Sequence, residues 1–456
     1  ASLAAFRIVF GLSAFFLMTY YYSDLRIDSI SEPCLRFPVP GFSWLPPSNR
    51  EWMHIEVYAL RVFSLLIAIG LFYRLSVLLF FLLYGHIFTV DVTFYQNHFY
   101  LILLLLFLLF FMPAHNTFSL DSVTWRKNHG PHVPAWAIYA LRGQLAVVFF
   151  FAGLAKLNGD WLLGEPLRTL IEASSAPHFM KTETSVMAMA YFGAIFDMLV
   201  APMLLSKKTR LIAFDLSLAF HFINAQIWDI DIFPYLMIGL SLIFFDPDWP
   251  HQLWRRLRRQ TLPPGAGMST RLDMPRLTTS QTTIAVCLGM YFVVQCVLPL
   301  RHFAYPGSVL WTDEGRLFAW RMMLVKRQSV MHFYAEDDSG KRWELNLRDF
   351  RLRHNLDRLP ERMLAFNAVT FAHHAAGMLA AKGHRNVQIF GEIRTSLHRR
   401  KPQLLFDPNT NLASVQISLL SATWILPLHE ALPRTKEERD AALSAWLAIG
   451  GSREAW

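Results

Sequence analysis

Long apolar runs alternate with short polar breaks, and nine runs approach the roughly 20 residues an α-helix needs to cross a bilayer. The pattern predicts spans at about 3–22, 55–72, 75–90, 98–112, 136–155, 185–205, 211–228, 232–245 and 283–300. The polar stretch 23–52 holds Pro33, Pro38, Pro40, Pro46 and Pro47. Proline removes a donor and fixes φ, so an ordered loop without helix is expected there. Past residue 300 the pattern changes. Segments 329–334 and 341–346 read as strands flanking the turn Asp337-Asp338-Ser339-Gly340, and 387–395 with 403–406 as a second pair. Segment 360–382 is Ala-rich with helical spacing. The expected fold is a polytopic α-helical membrane protein of about nine transmembrane helices (1–300), followed by a small strand-rich α+β domain (301–456) on the outer side.

Composition fits a membrane protein. The 456 residues are 54% hydrophobic and 17% charged, where about 25% charged is usual for soluble domains. A net charge of +9 would point to nucleic acid in a soluble chain. Here the basic residues fall on alternate breaks: Arg74, Arg126, Lys127, the turn Lys207-Lys208-Thr209-Arg210, and Arg255, Arg256, Arg258, Arg259, Arg271 and Arg276. The positive-inside rule puts these in the cytoplasm and leaves nucleic acid without a role. The Pro-rich loop, 91–97, the segment after Lys156, 229–231 and the C-terminal domain then face outward, to a periplasmic, extracellular or lumenal space. The N-terminal apolar run has no small-residue cleavage site after it and is expected to be a span rather than a signal peptide. Cys34, Cys287 and Cys296 form no CxxC, so neither a disulfide framework nor a zinc site is expected. HExxH, P-loop, GxGxxG and GxSxG patterns are missing too, and no metal is expected.

Ionisable groups in or beside apolar spans cost free energy, so their placement carries information. The run 136–155 ends on Lys156. One reading is an interfacial anchor with an apolar stem. The other is a desolvated amine, kept neutral by its surroundings and able to take a proton. On the topology above, Asn97 and His98, Lys156, and His221, Asn224 and Gln226 reach one depth near the outer face. His221 and Asn224 are three apart, on one helix face. Such a set suits a pocket entered sideways by a lipid-soluble molecule. Single histidines at helix ends are often anchors, and Asn224 alone can join helices. Arg142, deeper in its span, is expected to pair with Asp215 or Asp197. Asp246-Pro247-Asp248-Trp249 reads as a helix stop.

Longer motifs now carry a resemblance. The segments Asp91-Val92-Thr93-Phe94-Tyr95-Gln96-Asn97-His98-Phe99-Tyr100-Leu101, Leu141-Arg142-Gly143-Gln144 and Ala152-Gly153-Leu154-Ala155-Lys156-Leu157-Asn158-Gly159-Asp160-Trp161 resemble the vitamin K-dependent γ-glutamyl carboxylase family, with its horizontally transferred transmembrane domain. So do Phe220-His221-Phe222-Ile223-Asn224-Ala225-Gln226 and Phe318-Ala319-Trp320-Arg321-Met322-Met323. The resemblance covers nearly the whole chain. It implies an enzyme that deprotonates vitamin K hydroquinone (reduced phylloquinone or menaquinone) and adds O2. The oxygenated quinone takes a γ-proton from a peptide glutamate, CO2 adds to the carbanion, and vitamin K epoxide is released. Lys156 matches the family's base, and His98 the histidine that assists at the glutamate and CO2 end. Asn97, His221, Asn224, Arg142, Trp320, Met322 and Met323 are expected at the substrate or cosubstrate. The partners implied are a glutamate-containing peptide or protein, the lipid-soluble quinol and membrane lipids. An amine in a dry site suits the task, because a phenol near pKa 10 needs such a base and a carbanion needs shelter from water.

The chain also departs from the family pattern. Animal members join a cysteine resembling Cys34 to one in the C-terminal domain, and residues 301–456 contain none. Arg321 stands where the family's glutamate-contacting segment is acidic. These differences, with the lack of glycosylation sequons, point to a bacterial member. Two other classes of function stay open: quinol epoxidation without carboxylation, and a non-enzymatic transporter or lipid-binding scaffold.

Overall fold

A computed structural model of the chain describes residues 1–31, 35–124, 133–228, 230–258, 278–350, 365–418, 420–453 and 456. Cys34, Pro33, Arg126, Lys127, Asp229, Arg259, Arg271, Arg276 and the start of the expected helix at 360 lie outside these residues.

Each of the nine predicted runs is a helix. They are α1 (Ser2–Phe16, continued by a wider turn Leu17–Tyr21), α3 (Arg50–Ile69), α4 (Tyr73–Val90), α5 (Asn97–Phe111), α7 (Ala135–Ala155), α10 (Glu183–Leu205), α11 (Arg210–Ile227), α12 (Phe233–Ser241, with a turn Leu242–Phe244) and α14 (Thr279–Leu300). Six of them are long and apolar enough to cross a membrane: α1, α3, α4, α7, α10 and α14. At 1.5 Å per residue, the 15 residues of α5 reach about 22 Å, short of a hydrocarbon core of about 30 Å. Helix α12 is shorter still, and α11 carries too much polarity to join the six. The expected nine-span count therefore resolves into six full-length apolar helices and three that depend on their neighbours.

Local chemistry sets the ends. Asn49 accepts from Trp52 N to cap α3, which stops at Gly70 in the left-handed region. Thr278 and Gln281 close a capping box on α14. The Pro-rich stretch departs from expectation at its start: α2 (Asp24–Ser31) precedes the first proline. The rest is ordered, with Val39 N bonded to Thr89 O and Val92 N to Phe37 O, which straps the loop across the end of α4.

The helices follow one another around a ring. Helix α1 packs on α3 and α12, α3 on α4, α4 on α5, α5 on α7, α7 on α10, α10 on α11, and α11 on α12. Leu105, Leu109, Leu141, Leu145, Phe80 and Phe10 fill the inside and are fully buried. Helix α14 stands outside the ring against α7 and is almost entirely exposed, as suits a lipid-facing strut. At Gly153 an added Cβ would meet Met198 Cγ at 2.6 Å and Met198 N at 2.7 Å. That missing side chain lets the α7 and α10 backbones touch, as small residues do between membrane helices.

The short α6 (Leu120–Thr124) lies between α5 and α7, and between α7 and α10 run three short turns: α8 (Gly159–Leu162), α9 (Leu167–Glu172) and His178–Lys181. After α12 comes α13 (Trp249–Leu257), beyond the expected stop at 246–249. Past α14 and a short α15 (Val309–Thr312) lies an antiparallel sheet of order β2-β1-β3-β4. Strands β1 (Arg327–Glu336) and β3 (Gln388–Leu397) pair from Arg327↔Leu397 to Glu336↔Gln388. Strands β2 (Arg342–Glu344) and β4 (Gln403–Leu404) form the edges. Both predicted strand pairs are present, and β1 against β3 joins them. Helix α16 (Ala365–Ala381) covers one face, where Phe371 meets Phe333 at 4.6 Å, and α17 (Lys436–Ala448) follows near the end.

Candidate active site

The two short helices α5 and α12 begin at the wall of a cavity of about 470 Å³. Helices α7, α10 and α11 and the segment 316–323 enclose the rest. The space is mostly apolar with a few polar groups, the usual make-up of a small-molecule site.

Lys156 closes α7 as its C-cap residue. Its Nζ donates to Asp197 Oδ2 at 2.6 Å and to Ala152 O at 3.2 Å, and both side chains of the ion pair are buried. The indole of Trp161 lies 5.3 Å from Nζ and is itself anchored by Nε1 donating to Ala190 O at 2.8 Å. The contact between α7 and α10 at Gly153 brings Asp197 to this position, directly beside Met198. The carboxylate partner of the amine was not foreseen from the sequence, which had set Asp197 against Arg142. An ammonium has three N–H groups, and the two described bonds leave one to meet a ligand.

His98, in the first turn of α5, is buried between Phe99 and Phe233, and its Nε2 has no partner among the described residues. His221 on α11 is buried among Phe149, Phe220 and Phe233, with both ring nitrogens unpartnered among the described residues. A buried polar atom without a hydrogen bond costs about 1–3 kcal/mol, so these imidazoles are primed for a polar ligand in the cavity they line. Asn224, one turn on, lines the same cavity. Asn97 accepts from the Tyr95 hydroxyl at 3.2 Å and donates to Arg321 O at 3.4 Å. Tyr95 also accepts from Phe318 N at 2.8 Å. These bonds fasten segment 318–323 onto α5. In that segment Phe318, Trp320 and Met323 all have positive φ (61°, 55° and 56°). Each costs an L-residue about 1 kcal/mol or more, and such strain clusters where a loop serves a site.

Of the sequence-expected residues, Lys156, His98, Asn97, His221, Asn224, Met322 and Met323 meet at this cavity. Arg142 and Trp320 do not line it. Arg142 donates to Ile243 O at 2.9 Å, Phe244 O at 3.2 Å and Phe245 O at 2.8 Å, satisfying the carbonyls that end α12. Its expected pairing with Asp215 or Asp197 is corrected: Asp215 is exposed and Asp197 belongs to Lys156. Trp320 is buried 5.1 Å from the Tyr100 ring, where it anchors the strained segment. Sequence reasoning missed Tyr95, Trp161 and Asp197 as site residues. The available signal for Asp197 was one carboxylate inside an apolar helix, which needs a cation.

The helices and the cavity define a polytopic membrane protein with a basic residue at an apolar chamber. Residues 1–249 match the family model described as the HTTM domain, and residues 280–431 the one described as the vitamin K-dependent gamma-carboxylase lumenal domain. No solved structure matches the chain. The chain belongs to the HTTM-containing vitamin K-dependent gamma-carboxylase family.

Proposed function

We propose that the chamber oxygenates a vitamin K-type hydroquinone and couples this to γ-carboxylation of glutamate in a peptide. The observation that carries the reading is the buried Lys156–Asp197 pair facing an apolar cavity with unpartnered imidazoles. A flat aromatic diol fits such a space: the walls take the rings, and a ring nitrogen of His221 takes a hydroxyl. When bound, the quinol supplies the O2 chemistry and leaves as an epoxide.

The chain's own part is proton management. Asp197 takes the ammonium proton along the 2.6 Å contact. This leaves Lys156 Nζ as an amine that accepts a proton from a phenol at the chamber wall. A carboxylate at hydrogen-bond distance makes that exchange local and needs no water. Trp161, Phe149 and Phe233 exclude solvent, which protects a carbanion from early reprotonation. His98 sits next to the segment 318–323, through Asn97, and serves the glutamate end. By the positive-inside rule, the end bearing Arg74, the turn 207–210 and Arg255 is cytoplasmic. The chamber and C-terminal domain then face the lumenal or equivalent space.

The test is a coupled assay on the full chain in lipid with reduced vitamin K, O2, labelled bicarbonate and a glutamate peptide. Epoxide plus labelled carboxylate, both lost in Lys156→Ala, is the expected result. Epoxide without label would reduce the reading to quinol oxygenation. Neither product, from folded protein, would overturn it.

A further inference from the structure

Beyond α12 the chain leaves the ring of helices through a run of polar contacts, on the end that the positive-inside rule assigns to the cytoplasm. Arg142 holds the carbonyls of Ile243, Phe244 and Phe245, and Arg210 pairs with Asp246 at 3.3 Å. Helix α13 starts three residues after Asp246. Residues 249–258 hold Arg255, Arg256 and Arg258 and no acidic residue. At 3.6 residues per turn, Pro250, Leu253, Trp254 and Leu257 fall on one face of the helix, and Gln252 and Arg255 on the other.

That apolar face is open: Leu253, Trp254 and Leu257 are 49%, 52% and 72% exposed. Helix α13 packs on α1, and His251 lies 5.1 Å from the Phe118 ring, on the side away from Leu253 and Leu257. Arg258 lies over the Trp254 ring at 4.4 Å, which sets a cation at the border of the apolar face. Lys207 and Lys208 are exposed in the turn that Arg210 ties to Asp246, and they add positive charge nearby. A helix of nine residues is too short to hold itself in water, where roughly 12–15 are needed. Its stability therefore depends on a surface that covers Leu253, Trp254 and Leu257.

We propose that α13 lies in the membrane interface and binds anionic phospholipid headgroups. Leu253, Trp254 and Leu257 enter the upper acyl region, and Arg255 and Arg258 meet the phosphates. The helix begins where the chain leaves the apolar ring, so a bilayer surface is already beside it. A tryptophan with an arginine at its edge suits the boundary between headgroup and hydrocarbon. The surrounding charge is positive, since Asp246 is taken by Arg210. Asp248 precedes the helix, where a negative charge complements the helix dipole rather than the polar face. An anionic lipid surface attracts basic side chains held in this way. The binding is separate from the chamber and does not depend on its chemistry.

The experiment places a nitroxide on Leu257→Cys or on Gln252→Cys, in the full chain with Cys34, Cys287 and Cys296 changed to Ser. Each is reconstituted in nanodiscs of phosphatidylcholine, alone or mixed with phosphatidylglycerol, and its collisions with oxygen and with an aqueous nickel chelate are measured. In the mixed bilayer the label at 257 is expected to meet oxygen and escape the chelate, and the label at 252 to do the opposite. Native mass spectrometry of the unlabelled chain should show phosphatidylglycerol retained over phosphatidylcholine. Arg255→Gln and Arg258→Gln should each weaken that retention about fivefold, the worth of one basic side chain at an anionic surface. Equal access of the chelate to both labels overturns the interfacial position. Shielding of the label at 257 from oxygen and chelate alike means that protein covers the face, and overturns it too. Retention that ignores headgroup charge and both arginine substitutions overturns the choice of an anionic lipid.

Discussion

Two buried charge clusters lie four residues apart, and they are built to opposite ends. At Lys156, one lysine meets one carboxylate beside an apolar chamber, and His98 Nε2 and both ring nitrogens of His221, which line the same space, have no partner among the described residues. At Asp160, three hydrogen bonds occupy most of the acceptor positions of the carboxylate. Arg400 donates to both carboxylate oxygens at 2.8 and 2.7 Å, and His398 Nδ1 lies 2.7 Å from Oδ2. His398 Nε2 lies 3.2 Å from Leu324 O, so both ring nitrogens face oxygen atoms. This second cluster ties α8 to the turn after β3 and holds the C-terminal domain beside the chamber. A buried charge with spare valences is free to react with what enters. One held by several donors at once holds architecture.

The largest test of the contrast is Lys156→Ala. Quinol epoxide formation should fall about 10²- to 10⁴-fold, the range for losing a general base, while size-exclusion behaviour stays near wild type and melting falls by several degrees, because Asp197 is left buried without its partner. Normal turnover would remove Lys156 from the mechanism. Next is Asp160→Ala. Removing one partner of a buried pair costs roughly 3 kcal/mol or more, so the melting transition should drop by several degrees while epoxidation per folded molecule stays within about twofold. A selective loss of turnover would show that the two clusters are not separable.

Gly153→Val should act on the first cluster from behind, because its side chain would strike Met198 and part α7 from α10. Overpacking of this kind costs about 1–3 kcal/mol, and turnover should fall with it. Turnover and stability both at wild-type levels would mean that the close approach does not set the pair. His98→Ala should lower labelled carboxylate formation about tenfold more than epoxide formation, within the usual size of one acid–base contribution. Equal losses would place His98 at the quinol instead.

The smallest expected effect is in the pH dependence of the second cluster. Burial pushes the Asp160 carboxyl up, but hydrogen bonds from His398 and Arg400 outweigh it and hold it well below the usual carboxylate value. A depressed carboxylate stabilises the fold above its unfolded pKa of about 3.9 and loses that stabilisation as pH falls through the folded value. The melting difference between wild type and Asp160→Asn should therefore be flat from pH 7 to 5 and shrink only below about pH 4. A difference already shrinking at pH 6 would assign the stabilisation to another group.

Helix positions were legible in the sequence because each apolar run is long and periodic. The strands of the C-terminal domain were legible for the same reason, with a turn signal between β1 and β2. Helix α2 was misjudged because the proline density was assigned to the whole loop, while the prolines begin after its last residue. Lys156, His98, His221 and Asn224 were visible as polar residues at one end of apolar helices. Arg142 fits the same description, yet it caps carbonyls at the end of α12. Sequence cannot separate a cation that satisfies a backbone end from one that faces a chamber, since both cost the same to place in an apolar segment.

The sequence by itself determined that this is a helical membrane protein with a strand-bearing C-terminal domain and a lysine at the end of its fifth apolar helix. Those features depend on periodicity and composition, which are local. Tertiary structure alone decided that Asp197 is the lysine's partner and that segment 318–323 is strained against Tyr95 and Asn97. Each of these joins residues 41 to 224 positions apart, and such pairings are set by how the helices pack around the ring.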